Sequence, residues 1–543
     1  MWSLLADHKQ SFEALNIFES SHACAHIAYF AFSSSSFLDV IRRVSQGSHG
    51  DDRRGDRADF APAAKATAYY WGTTNGTWQV AGNWTTDPTG STIVGSGIPA
   101  QTDTVIFNGS AIFGNETISL NAATSVLGMT FANTGTTVLK SDTTTARILT
   151  IGTGGITINS GAGAVTIGDA TNGTTITLGG TQTWTNNSAN TLTIANAVTM
   201  GTNPLTIDGT GTTTINGVIG GTVASGTTAL TIGSGAGSTT RLNLGTAAST
   251  FTGNILINGG TLSASMSGGA ATSPLGGQIG TVYRMMTLQN GGTYISNVTW
   301  NDNLPTTTNV GVVFNFGTGG GTLNVASGTT LTLDDGSGTG TASGAAQLQG
   351  SGTLTKTGAG TLTLGNGTSN FSNFTGAIII SAGTLTTGTA STNPLGDTVT
   401  GTTIAAGADI DLKGVVWTQA EPLNISGAGV GGTANVIRNS STTAASFAGP
   451  ITLARGVHIG RNCGHDHALR RDHRCVSLDD RQHRGWRHDD FDRIRQQCRF
   501  ADQLRSRRGD DSDQQRDRNE RHRRHAIVGH VATHAHRSEY LHR

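Results

Sequence analysis

The chain has 543 residues, and 77 of them are Gly, about twice the usual share of roughly 7%. Only 13% are charged, against a norm of about 25%, and the formal net charge is zero. That zero conceals two populations, which excludes one uniform fold: 8 Lys+Arg and 13 Asp+Glu lie between Ala66 and Arg455, whereas 20 Arg, no Lys and 14 Asp+Glu crowd residues 456–543.

Residues 1–65 form a leader region. Ala64-Lys65-Ala66 is an A-x-A cleavage pattern, and a secretory signal needs an apolar core directly upstream of it. Gly47 to Phe60 (GSHGDDRRGDRADF) stands there instead. Read one nucleotide later, most of Gly50 to Phe60 is permitted to become Val, Met, Ile and Leu. A signal peptide in another frame is therefore expected, with residues 1–65 mistranslated and disordered. The alternative is a weak signal at Ala23 to Leu38 (ACAHIAYFAFSSSSFL), which lies far from the cleavage site. No run of 18 or more apolar residues exists, so no transmembrane helix is predicted.

Residues 66–455 are repetitive. The tract opens with WGTTNGTWQVAGNW, holding Trp71, Trp78 and Trp84. These read as a cap over an open first coil, which would otherwise expose sheet edges; the competing reading is a platform of exposed aromatics. Apolar–Thr–apolar triplets then recur, among them Ile156-Thr157-Ile158, Val165-Thr166-Ile167, Ile176-Thr177-Leu178, Leu192-Thr193-Ile194 and Leu205-Thr206-Ile207. Side chains alternate faces along a strand, so each triplet sends two apolar groups inward and one Thr outward. Gly, Asn and Asp between triplets supply tight corners. Three residues are too few for an independent strand, but stacked on a like neighbour they form a rung of a parallel sheet. The predicted class is all-β, a parallel right-handed β-helix or solenoid. At about 20–25 residues per coil and about 4.8 Å per rung, roughly 16–19 coils extending about 80–90 Å are expected.

Two longer copies share one phrase. Thr250 to Leu262 reads TFTGNILINGGTL, followed by Ser-Pro-Leu-Gly-Gly at Ser273 to Gly277; Asn373 to Leu385 reads NFTGAIIISAGTL, followed by Asn-Pro-Leu-Gly-Asp at Asn393 to Asp397. With the upstream GTLTKTGAGTLTL from Gly352, the second copy resembles the autotransporter-associated β-strand repeat. Pro422 to Leu453 looks like the phrase such proteins place between repeats, and the Trp-rich opening is similar to their first segment. The resemblance covers the whole tract from Ala66 to Arg455 and neither end of the chain. It implies an extracellular or cell-surface passenger of a Gram-negative outer membrane, adhesin-like or structural, non-enzymatic, with a surface or carbohydrate ligand. A membrane-anchoring β-barrel should follow, and residues 456–543 do not read as one.

That tail is Arg, His, Asp and Gln. Shifted by one nucleotide, Gly464 to Arg474 permits GTITLSGGITG, Trp486 to Gln497 permits GGTTTSIGSGNN, and Ser506 to His525 permits AGGGTTATNNGTGTNGTGGT. Each is the vocabulary of the preceding tract, so the tail reads as a frameshift product and is expected to be disordered. This accounts for Cys463, His465, His467, His473 and Cys475, whose spacing matches no standard zinc pattern. It accounts equally for an Arg run that would otherwise suggest nucleic acid, and no nucleic-acid partner is expected. The Arg-Gly-Asp triplets at Arg54 to Asp56 and Arg508 to Asp510 read as accidents of the same kind. The four cysteines (Cys24, Cys463, Cys475, Cys498) all lie outside the repetitive tract. A long Cys-free tract suits export as an unfolded chain.

No catalytic, cofactor-binding or metal-ligating residue is predicted, and no cofactor. Gly427 to Gly432 (GAGVGG) fits G-x-G-x-x-G, but a dinucleotide site needs a following helix, and TANVIRNSS reads as strand and loop. No His lies between Ala66 and Arg455, which removes His-based acid–base chemistry from the tract. The tight acidic pairs there are Asp334-Asp335 and Asp409/Asp411. The alternative function, a carbohydrate-active β-helix of the polysaccharide lyase or glycosidase kind, would need such a pair. Asp409 and Asp411 share a strand face, but with no basic residue evident beside them they are expected to be solvated surface groups.

Overall fold

A computed structural model describes residues 66–454, except 90–96, 108–113, 265–272, 277–283, 304–311, 335–347, 366–372, 389–394 and 433–434, together with a strand at Val476–Leu478. The expectations for residues 1–65 and for most of the tail lie outside the described residues. The tail strand pairs in parallel with Ala445–Phe447, Leu478 opposite Phe447.

The tract is a parallel β-solenoid. Its strands, mostly three to five residues long, stack into two fifteen-stranded sheets, one of six strands and one of three. No α-helix occurs among the described residues. Most successive strands along the chain go to different sheets, although neighbours such as Thr174–Leu178 and Gln182–Asn186 both join the first, and strands pair with those one coil earlier. In the second sheet Val165–Ile167 and Leu192–Ile194 both show the buried, half-buried, buried pattern. Ile167, Ile194, Ile215 and Leu244 therefore stack as an inward column, while Thr166, Thr193, Thr214 and Asn243 form the outward column beside it. In the first sheet one inward column runs Met129, Ile156, Trp184, Ile207, Ile232, Ile257, Leu288, Phe316. All of these are buried, and each side chain of this size contributes about 1.5–3 kcal/mol.

Coils are fewer and longer than expected. The step from Thr193 to its stacking partner Thr214 is short, whereas the step from Ser263 to its partner Ile295 is half as long again. Extra residues lengthen some coils, the first most of all, without altering the rungs. The second sheet therefore has fifteen strands and extends about 67 Å at about 4.8 Å per strand.

The first coil is closed as the tryptophans suggest. Trp71 and Trp84 pair across a short antiparallel bridge, and their rings meet edge to face at 4.9 Å. Trp78 lies 4.7 Å from Trp84, whose Nε1 donates to the Trp78 carbonyl. All three are buried, so they are core and not an exposed platform. Phe107 stacks on Phe131 at 4.6 Å and carries the aromatic core into the next coils.

The two long copies have the same local form, strand–corner–strand, but occupy different faces. Asn254–Asn258 and Thr261–Ala264 lie in the first and second sheets, whereas Ile378–Ile380 and Gly383–Thr387 lie in the second and the six-stranded sheet. Close coil-to-coil approach makes some glycines obligatory. Gly155, at φ 62°, would drive a Cβ into the Thr183 carbonyl oxygen.

The alternation carries a direct test. Ile194→Ala should cost about 2–5 kcal/mol, whereas Thr193→Ala, one residue away on the outer face, should stay within about 0.5 kcal/mol. Urea denaturation of the two variants measures the difference, and equal losses would contradict the assigned faces.

Candidate functional site

The strand Ala408–Asp411 lies in the six-stranded sheet, with Ala408 and Ile410 inward and Asp409 and Asp411 on the other face. The two acids do share a face, but they are not solvated: Asp409 is 2% and Asp411 5% exposed. Arg438, directly opposite Asp411 on the next rung, bonds to both. Its Nε lies 2.9 Å from Asp409 Oδ2 and its Nη1 2.7 Å from Asp411 Oδ2. The expectation of surface acids without a basic neighbour is therefore corrected. Stacking one coil later brings in a cation that is remote in sequence. Asp411 Oδ1 also accepts the backbone N–H groups of Lys413 and Ser440. Burial pushes the Asp409 carboxyl up, against the pull of the Thr384 hydroxyl and Arg438. This arrangement neutralises charge and ties two coils together.

Of the other pair, Asp334 ends the strand Thr330–Asp334 and Asp335 lies outside the described residues, as do Cys463, His465, His467, His473 and Cys475 and both Arg-Gly-Asp triplets. Among the described residues no group of three or more His, Cys, Asp and Glu is placed to hold a metal ion. Gly427 to Gly432 ends in a 3-10 turn, Val430–Gly432, and the next element among the described residues is the strand Ile437–Arg438. That is not the helix a dinucleotide site requires. Among the described residues no helix is long and apolar enough to cross a membrane.

Polar groups in the interior are what sequence reasoning missed. Lys356 occupies an inward column between Leu323 and Ile380 and is wholly buried. Its Nζ donates to the carbonyls of Thr357 (2.8 Å), Gly358 (2.7 Å) and Ala382 (2.9 Å). Burial draws the ammonium down to about 8, with Asp409 pulling the other way. Arg284 is buried over the Phe251 ring, 4.4 Å from its centroid, and donates to the carbonyls of Phe251 and Leu275; burial lowers it to about 10. Gln419 serves the corresponding Pro-Leu-Gly turn of the second copy, donating to the Gly396 carbonyl and accepting from the Leu395 N–H. Glu116 accepts from the Thr137 hydroxyl at 2.6 Å, and burial raises it. Glu421 accepts from the Thr402 hydroxyl at 2.8 Å. Burial lifts it to about 7, opposed by Thr402 and helped by Asp397. Alternation marked two of these positions. Lys356 is two residues from Leu354, and Glu116 is two from Ile118, each pair on one strand face.

Comparison with protein-family models, curated proteins and solved structures gives no match.

The Glu421 environment gives a pH dependence of known sign. The folded state holds this proton more tightly than the unfolded chain, so the acid form favours folding. Stability is lost as pH rises from about 4.5 to about 7. Melting temperatures between pH 4.5 and 8 should fall less steeply for Glu421→Gln than for the wild type. Parallel curves would remove Glu421 as a source of the slope.

Proposed function

We propose that this chain is a non-enzymatic passenger of the autotransporter type, secreted or displayed on the cell surface, that presents a long β-solenoid for adhesion or matrix formation. The observation that carries this reading is the phrase from Gly352 to Leu385 set on stacked rungs. Leu354–Thr357, Thr361–Leu364, Ile378–Ile380 and Gly383–Thr387 are each strands paired in parallel with neighbouring coils. A repeat phrase that resembles a passenger's, realised as a passenger-like shaft, supports the reading more than either alone. The surface adds to it. Outward columns of Thr, Ser and Asn, such as Thr166–Thr193–Thr214–Asn243, suit a hydrated shaft that meets a polar ligand over a long area. The Asp409/Asp411 pair, the best candidate for a carbohydrate-active reading, is committed to Arg438.

The test is location. Antibodies raised against residues 66–454 should label intact cells of the source organism, and brief protease treatment of those cells should remove the signal. Labelling that appears only after permeabilisation would overturn surface display. Sequencing the coding DNA from Arg455 onward tests the shifted frame, which should continue the Gly/Thr-rich repeat.

A further inference from the structure

The apolar pattern of these strands sets their register only in part. Leu354–Thr357 reads LTKT, and the strand stacked on it reads Ile378-Ile379-Ile380. A slip of two residues keeps every side chain on its own face. Against three successive isoleucines it also keeps an apolar partner, Lys356 then facing Ile378 in place of Ile380. The slip does cost one apolar contact, because Leu354 then faces Gly376 in place of Ile378.

The ammonium of Lys356 distinguishes the offsets as well. Two of its three acceptors, the carbonyls of Thr357 and Gly358, belong to its own coil and move with it. The third, Ala382, belongs to the next coil. Gly383, at φ 70°, leaves the room this contact needs, because a Cβ there would stand 2.8 Å from Nζ. A two-residue slip moves the ammonium about 7 Å along the strand, out of reach of the Ala382 carbonyl. One N–H of a group with three donors and no acceptor is then left unpaired at a site closed to solvent, where an unsatisfied charged donor is costly. We propose that Lys356 is a register-setting residue: the offset between these two coils is the one that lets its third N–H reach Ala382. Fixing register is the best-attested use of a buried polar group.

Paired cysteines in the full-length chain report the offset. Thr355 and Ile379 are directly opposed, about 4.8 Å apart, so Thr355→Cys with Ile379→Cys can form a disulfide in the native register. Thr357→Cys with Ile379→Cys sits about 8 Å apart there, too far to bridge, and closes only after the slip. Each pair is refolded and oxidised, and the cross-linked peptides are mapped by mass spectrometry. With Lys356 present, only the 355–379 cross-link should form; with Lys356→Met, which keeps the bulk and removes the charge, both should form. A Lys356→Met chain that yields only the 355–379 cross-link overturns the proposal. So does a 357–379 cross-link that forms equally well with Lys356 in place. If neither forms in Lys356→Met, the residue serves stability and not register, and the proposal also fails.

Discussion

The backbone hydrogen bonds that run along the stack are the constraint on which everything else depends. A three-residue strand such as Leu192–Ile194 has no lateral company within its own coil. Its N–H and C=O groups are satisfied by the coil before and the coil after, and buried backbone groups must be satisfied. Each coil is thus stable only as part of a pile, and stability is a nearest-neighbour property. The requirement explains the closed first coil. Among the described residues no rung precedes it, and Trp71, Trp78 and Trp84 supply both the bridge and the apolar cover.

A stack of near-identical rungs gains cohesion easily and specificity with difficulty. Thr-alternating strands present similar apolar columns from rung to rung, while the length of chain per coil varies. The interior polar groups are the features that differ from coil to coil. Arg284 grips the Pro-Leu-Gly turn of one copy and Gln419 that of the other, while Arg438 joins its rung to Asp409 and Asp411. Each spans between coils, so each is satisfied in one arrangement and unsatisfied in its neighbours.

The sequence made the rung legible because inward and outward residues alternate without exception in triplets such as Val165–Ile167. It made the cap legible because three tryptophans so close together have no other apolar place to go. It hid the number of coils, since the extra residues carry no periodic signal. It also hid the Asp409–Asp411–Arg438 cluster. Nothing local says that the step from Asp411 to Arg438 is one turn of the stack. Lys356 was readable in principle. Its position two residues from Leu354 points inward, but a lysine there looks like a break in the pattern until its three carbonyl acceptors are seen.

The duplicated phrase sits on the first and second sheets in one copy and on the second and six-stranded sheets in the other. The phrase therefore encodes a bend between two strands and says nothing about compass direction. Its two appearances look out from different sides of the shaft. Only the second sheet carries a strand from both, so the two hinges turn the chain at neighbouring edges of the same face.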